Sequence, residues 1–306
     1  MNDAIPIPIR VAVLGAGAVG CYYGGMLARA GHRVVLIGRA RHMDAIARDG
    51  LRFETRDFSE NISMDTSTSA EAVRGAKLVL FCVKSTDTET AAAEIAPYLD
   101  ADALVVNLQN GVDNAERIRS KVKNPVIPAA VYVASEMKGP GHLKHHGRGD
   151  LVMGSSNEKI KAWFESAGVP VAVSDNIAGE LWTKLVLNCA YNAISAIAQL
   201  PYGKMIQGPG VRELMRDVVE ETLAVAKASG VPMAPGMLER TLRLADSMPT
   251  QFSSTAQDLA RGKPTEIDYL NGLVVRKAEA LGIATPANRA LWALVRLLEE
   301  KARATP

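Results

Sequence analysis

With 306 residues the chain can form about two domains of ordinary size, each able to bury a core without disulfides or a metal. Its 35 lysines and arginines against 33 aspartates and glutamates leave a formal charge of +2, which excludes a net field for nucleic acid or an anionic membrane, so phosphate binding has to be local. Apolar residues at 48%, charged at 22% and aromatic at 5% suit an ordinary globular protein and leave too few rings for a base-stacking surface.

Cys21, Cys82 and Cys189 show no Cys-x-x-Cys or Cys/His spacing, so no disulfide framework and no metal site is expected, and a reducing cytoplasmic location fits. Residues 11–28 are uncharged, long enough to raise the question of a spanning helix, but five glycines interrupt them. Residues 185–203 are uncharged as well, and Asn188, Asn192, Ser195, Gln199 and Pro201 make them unsuited to lipid.

In chain order, β-branched runs at 9–14, 33–37, 78–83, 103–108, 126–133 and 169–173 alternate with amphipathic stretches at 19–30, 40–48, 87–96 and 113–121. That alternation predicts a Rossmann-like α/β domain with a mostly parallel sheet over residues 1–175. Ser174-Asp175-Asn176 offers three N-cap residues in a row, after which the β pattern stops. An all-α domain is expected over 176–306, with helices near 176–199, 208–229, 235–246, 250–261, 265–281 and 286–303. Such a pair suggests nucleotide binding with a partner domain closing a cleft.

Gly15-Ala16-Gly17-Ala18-Val19-Gly20 is a G-x-G-x-x-G placed where the first strand ends and a helix of small residues begins. The chemistry of a pyrophosphate needs that placement: Gly15 permits the turn, Gly17 lets backbone approach the anion, and Gly20 allows close helix packing beneath free N–H groups. An acid at the end of the second strand would accept from a ribose hydroxyl, but the chain has Ile37-Gly38-Arg39-Ala40-Arg41. Arg39 and Arg41 suit a 2′-phosphate, hence NADPH, unless they are simply a solvated first turn. Lys84 and Asn110-Gly111 end two further strands, where they read either as ligand contacts or as a snorkelling lysine and a turn.

In the second half, Asn188, Asn192, Ser195 and Gln199 lie within about 40°, 80°, 20° and 60° of Lys184 at 100° per residue, on a helix otherwise apolar from 185 to 200. An amine in line with amides suits a small anionic, oxygen-rich substrate; the other reading is a solvent face poor in charge. Glu266 and Asp268 fall in the first turn of the expected 265–281 helix, and Ser253 and Ser254 stand where N-caps would. His142, His145 and His146 lie beside Lys144 and Arg148, which oppose a cation, so a basic loop is expected there.

Taken together, the glycine motif, Arg39, Lys84, Asn110-Gly111, Glu180-Leu181-Trp182-x-Lys184-Leu185-x-x-Asn188-x-x-x-Asn192, Ser253-Ser254 and Thr265-Glu266-Ile267-Asp268-Tyr269-Leu270-Asn271-Gly272 resemble the ketopantoate reductase (2-dehydropantoate 2-reductase) family over essentially the whole chain. The resemblance implies NADPH-dependent reduction of 2-dehydropantoate to pantoate on the way to coenzyme A, with Lys184 as proton donor. It further implies that Asn188, Asn192, Ser253 and Ser254 hold substrate oxygens. Glu266 would act where substrate and cofactor meet, orienting the substrate hydroxyl or Lys184, and Lys84 and Asn110 would contact the cofactor. The implied partner is a small 2-keto acid, with no nucleic acid and no membrane, and a homodimer is a candidate assembly. One departure bears on the shape of the substrate pocket: some members carry Asn after the proline that ends the lysine helix, where this chain has Pro201-Tyr202. Two other readings stay open, a reductase of another 2-keto acid and a non-catalytic dinucleotide sensor.

Overall fold

The structure is a computed structural model that describes residues 8–154 and 156–304. The chain parts into two compact units between Ile177 and Ala178.

The first unit is built on β1 (Arg10–Leu14), β2 (Arg33–Ile37), β3 (Leu51–Glu54), β4 (Ser59–Ile62), β5 (Asp65–Ser67), β6 (Leu78–Phe81), β7 (Leu104–Asn107), β8 (Val126–Gly139), β9 (His142–Met153) and β10 (Val171–Val173). They pair in the order β4-β3-β9-β8-β7-β6-β1-β2-β5, with β10 alongside β9. Only β3 with β4 and β8 with β9 run antiparallel; the other pairs are parallel. Strand β1 lies between β2 and β6, so the order reverses there and opens the crevice in which such sheets bind ligands at their carboxyl ends.

Residues alternate faces along each strand, and both faces are covered. Val11 and Val13 of β1 join Val34 and Leu36 of β2 in a core shared with Cys21, Tyr23 and Leu27 of α1 (Ala18–Arg29). Met43 and Ile46 of α2 (Ala40–Asp49) join that core, whereas Ala12 and Leu14 face the other way, into a second core with Ala92 and Ile95 of α3 (Thr88–Ile95) and Ile118 of α4 (Asn114–Arg119). Helix α5 (Glu158–Ser166) adds Trp163 and Phe164 to the first core.

The short strands β3, β4 and β5 and helix α5 lie where the sequence pattern predicted none, and residues 142–153 form β9 where a basic loop was expected at its start. Alternation is lost in β9 because register shifts interrupt its pairing with β8, and Gly147, Arg148 and Gly149 all take positive φ there. The histidines go to separate partners: His142 Nε2 lies 3.2 Å from Glu54, His146 Nε2 lies 3.0 Å from Glu136, and His145 stacks on Tyr22 with ring centroids 4.6 Å apart.

Among the described residues the regular elements of the second unit are all helices: α6 (Ile177–Ala198), α7 (Tyr202–Met205), α8 (Val211–Ala228), α9 (Met237–Ser247), α10 (Ser254–Ala260), α11 (Asn271–Leu281) and α12 (Pro286–Ala304). The expected helix over 265–281 is instead a 3₁₀ turn at Ile267–Tyr269 followed by α11, because Leu270 leaves helical geometry at φ −111° and ψ −105°. Contacts with α12 hold that break: Asp268 accepts from Trp292 Nε1 at 2.7 Å and Arg296 Nη1 at 3.0 Å, and Thr265 N donates to Glu299 at 2.6 Å. Asp268 therefore serves packing, not a helix dipole. Glu221 of α8 caps α12, accepting from the N–H groups of Ala287 and Asn288, each at 2.9 Å. Among the described residues no helix is long and apolar enough to cross a membrane.

His32 precedes β2 and is 4% exposed. Its Nδ1 accepts from Ile9 N at 3.3 Å, and its Nε2 donates to Ser166 Oγ at 3.2 Å, so the ring is neutral. Burial lowers its pKa from the ordinary histidine value. An unfolded chain thus takes up a proton that the folded one refuses as pH falls below about 6.5. Stability of the first unit should therefore drop from pH 7.5 to pH 5.5, and His32→Gln should reduce that drop, read from urea midpoints at the two pH values. An unchanged pH dependence would assign the drop to other groups.

Candidate active site

Two sets of residues carry chemistry, one in each unit. In the first, β1 delivers Gly15 at φ +104°, and its N–H donates to Ile37 O at 2.9 Å, closing the turn against the end of β2. A Cβ on Gly15 would lie 2.6 Å from the Cys82 and Val83 backbone, and one on Gly20 would lie 2.1 Å from Gly15 O. Gly17 differs. It caps α1, is exposed, and a Cβ there would meet no atom within 4 Å. Two of the glycines thus exist for packing, while the third leaves open space beside the first-turn N–H groups of Ala18, Val19 and Gly20. No acid stands in that turn, so the helix end presents undiminished positive potential, which fits a dinucleotide pyrophosphate.

Arg39 and Arg41 are exposed where β2 gives way to α2, and their guanidinium groups make no hydrogen bond among the described residues. Gly38 was not singled out in the sequence, yet a Cβ there would lie 2.9 Å from Ala16 Cβ, so it too keeps the cradle tight. Its signal is a glycine directly after the second strand.

Lys84 and Asn110 stand after β6 and β7, and a buried polar network that sequence reasoning missed joins their two loops. Asn114 Nδ2 donates to Asn110 O at 2.6 Å and to Ser85 Oγ at 3.0 Å. Gln109 Nε2 donates to Val83 O at 3.0 Å and Thr88 Oγ1 at 2.8 Å. Arg117 closes it, reaching Ser85 O and Asn114 Oδ1, each at 2.7 Å, and pairing with Glu89, whose carboxyl it holds below the usual range. A buried network of this kind rigidifies what it joins, although Gln109 Oε1 has no hydrogen-bond partner among the described residues. The available signal was a run of small polar residues at the carboxyl ends of neighbouring strands.

In the second unit α6 carries Lys184 and Asn188, both partly exposed, then Asn192 and Ser195 at 3% and 0% exposure, and exposed Gln199 just beyond the helix. The stripe is therefore not a continuous solvent face. It has two parts. Ser195 Oγ donates to Leu200 O at 2.9 Å and accepts from Ser253 N at 3.3 Å, while Gln199 Nε2 donates to Ala196 O at 2.8 Å, so these two hold structure. The carboxamides of Asn188 and Asn192 make no hydrogen bond among the described residues, although Asn192 is buried. A buried amide without a protein partner is suited to one from a ligand.

Ser253 and Ser254 have different surroundings. Ser253 is 1% exposed; its hydroxyl accepts from Ala256 N at 3.0 Å and donates to Asn192 O at 3.1 Å, which makes it the N-cap of α10 and a tie to α6. Ser254 is exposed, and its hydroxyl makes no hydrogen bond among the described residues. Glu266 precedes the 3₁₀ turn and is partly buried.

The family described as ketopantoate reductase PanE/ApbA matches residues 11–158, and its C-terminal counterpart matches residues 176–299. The chain belongs to the ketopantoate reductase family. A 2-dehydropantoate 2-reductase of Pyrococcus horikoshii is 32% identical over 300 residues, covering 95% of this chain and 98% of that protein. The crystal structure of a PanE/ApbA family ketopantoate reductase from Ralstonia eutropha is 58% identical and superposes with a TM-score of 0.94 over 96% of this chain and 100% of that one. A D-mandelate dehydrogenase solved with NADH and anilino(oxo)acetate shares the fold at a TM-score of 0.90 with 24% identity, covering 97% of this chain and 100% of that one. The ketopantoate reductase match thus covers the unit with the glycine cradle and the unit with the amine–amide stripe separately.

The crowding around Gly20 generates a stability test. Gly20→Ala should lower the thermal midpoint by an overpacking cost of about 1–3 kcal/mol, since backbone and not a flexible side chain must yield. Gly17→Ala, with open space at that Cβ, should melt with the wild type. Equal midpoints for all three proteins would contradict the close approach at Gly20.

Proposed function

We propose that the protein reduces 2-dehydropantoate to pantoate with NADPH, with Lys184 as the proton donor. The observation that carries this reading is the placement of Lys184, Asn188 and Asn192 on one face of the buried helix α6, in a chain whose two halves both match the ketopantoate reductase family. The reduced dinucleotide, when bound, contributes the hydride that the ketone carbon receives. Lys184, as an ammonium, polarises the ketone and gives its proton to that oxygen as it becomes the pantoate hydroxyl. Asn188, Asn192 and Ser254 have side-chain donors left over for the carboxylate and hydroxyl oxygens, while Ser253 contributes by holding the Asn192 turn. Glu266 orients the substrate hydroxyl or the Lys184 amine.

On the cofactor side, the backbone N–H groups of Gly17, Ala18, Val19 and Gly20 hold the pyrophosphate, with Gly15 and Ala16 shaping the turn. Arg39 meets the 2′-phosphate, and Lys84 and Asn110 contact the dinucleotide from the loops after β6 and β7. The preference for NADPH is supported by two exposed arginines where an acid would serve NADH. The assembly we propose is a homodimer, for which Leu294 and Leu297, 47% and 60% exposed and one turn apart on α12, offer apolar surface.

Lys184→Ala should lower kcat for 2-dehydropantoate by about two to four orders of magnitude, the scale of a lost general acid, and leave NADPH binding near the wild-type value. A wild-type kcat would remove the lysine from the mechanism. Turnover of other 2-keto acids in the same assay with none of 2-dehydropantoate would transfer the site to a different substrate.

Arg39→Ala should raise the KM for NADPH about tenfold, the lower end for a charge-assisted hydrogen bond at an exposed site, and leave NADH use almost unaffected. Parallel losses with the two dinucleotides would mean that Arg39 does not read the phosphate.

A further inference from the structure

The segment between α9 and α10 sets Ser254 beside α6, and its ties come from α6 and the residues that follow it. At its far end Ser253 Oγ donates to Asn192 O at 3.1 Å and Ser253 N donates to Ser195 Oγ at 3.3 Å. In the middle, Tyr202 N donates to Gln251 O and Gly203 N to Pro249 O, both at 2.9 Å. At its start the segment leaves α9, and there the tie is Tyr191. Its hydroxyl donates to Thr241 O at 2.8 Å and accepts from Ala245 N at 3.1 Å.

An α-helical N–H bonds the carbonyl four residues back, so Ala245 N–H and Thr241 C=O are the two ends of one rung of α9. A single hydroxyl from α6 thus engages both ends of a rung whose Ala245 end lies two residues before α9 ends at Ser247. The two backbone groups could satisfy each other without it, so the backbone does not require a tyrosine at this place. What the hydroxyl adds is location: with two fixed partners it sets both the height and the rotation of the last turn of α9. Tyr191 is 1% exposed, and its ring packs on Tyr202 with centroids 4.6 Å apart, so the ring has little freedom to move the hydroxyl. Burial pushes its phenol up to about 12, so the proton that Thr241 O receives is retained at neutral pH.

We propose that Tyr191 is a positioning residue for substrate binding, fixing the start of the 248–253 segment so that Ser254 stands correctly against Asn192, its own neighbour on α6. The role rests on the reading that Asn192 and Ser254 hold the keto acid. It predicts an effect confined to the substrate, since nothing in this chain of contacts leads through the glycine cradle. Tyr191→Phe keeps the buried ring and its packing and removes only the hydroxyl.

The experiment compares Tyr191→Phe, Tyr202→Phe and Ser254→Ala with the wild type, measuring kcat and KM for 2-dehydropantoate, the NADPH Kd by fluorescence titration, and the thermal midpoint. Tyr202→Phe is the control because it keeps the size and packing of the ring that stands where some members carry Asn, and removes only a hydroxyl that makes no hydrogen bond among the described residues. The expected result is a KM raised about five- to tenfold in Tyr191→Phe, the scale of one misaligned hydrogen bond. Its kcat should stay within about twofold, its NADPH Kd should be unchanged and its melting close to the wild type, while Tyr202→Phe behaves as wild type. A wild-type KM in Tyr191→Phe while Ser254→Ala raises it overturns the positioning role alone. An unaffected KM in Ser254→Ala removes the substrate reading and this role with it. An equal rise in Tyr202→Phe, or a loosened NADPH Kd together with a fall in melting, marks general packing and also overturns the role.

Discussion

A helix buried on most sides must find a partner for every polar group it carries, because an unpaired one costs about as much as a good hydrogen bond gains. Helix α6 is under that constraint more than any other element of its unit, since Leu185, Val186, Cys189, Ala190, Ala193 and Ala196 are buried around a polar stripe. It meets the constraint in two ways. Ser195 and the Asn192 carbonyl are satisfied by the segment that carries Ser253, and Gln199 by the helix's own last turn. The carboxamides of Asn188 and Asn192 make no hydrogen bond among the described residues. The division falls along the helix, with the satisfied side chains toward its carboxyl end and the amides without a protein partner nearer Lys184, and it places the loop with Ser253 and Ser254 at the junction.

The same economy of partners operates in the first unit. The loops after β6 and β7 would be free to wander if they relied on their own backbone, but Ser85, Thr88, Gln109 and Asn114, all at most 4% exposed, bind them to each other. Lys84 and Asn110 stand on those loops, so their placement is inherited from these buried side chains. Steric exclusion does for the glycine loop what hydrogen bonds do here: Gly15 and Gly20 approach backbone so closely that no side chain fits, and Gly17 alone is left facing open space.

How far the sequence can be read follows from which interactions are local. Strands β1, β2, β6 and β7 and helices α1, α6, α8 and α12 lie where periodicity puts them, because a strand buried on both faces and a helix with one apolar side each write their period into the chain. Strand β9 does not, since register shifts leave His146 and Gly149 without a partner on β8, and alternation fails there. The stretch 265–281 has helical spacing throughout, yet its first third is held as a 3₁₀ turn by Trp292, Arg296 and Glu299, residues that no window around it contains.

The residues alone determined an α/β half and a helical half, a glycine turn between strand and helix, arginines where an acid would select NADH, and an amine in line with two amides. Each of these is set by neighbours within a few positions, through steric exclusion or the 100° step of a helix. Tertiary structure decided which hydroxyls and carboxylates are already spent: Ser253 on Asn192 across 61 residues, Tyr191 on Thr241 across 50, and Asp268 on Trp292 across 24. A serine bound to a distant carbonyl and a serine left for a substrate look the same in the chain. They differ only in what folding brings within about 3 Å of the oxygen.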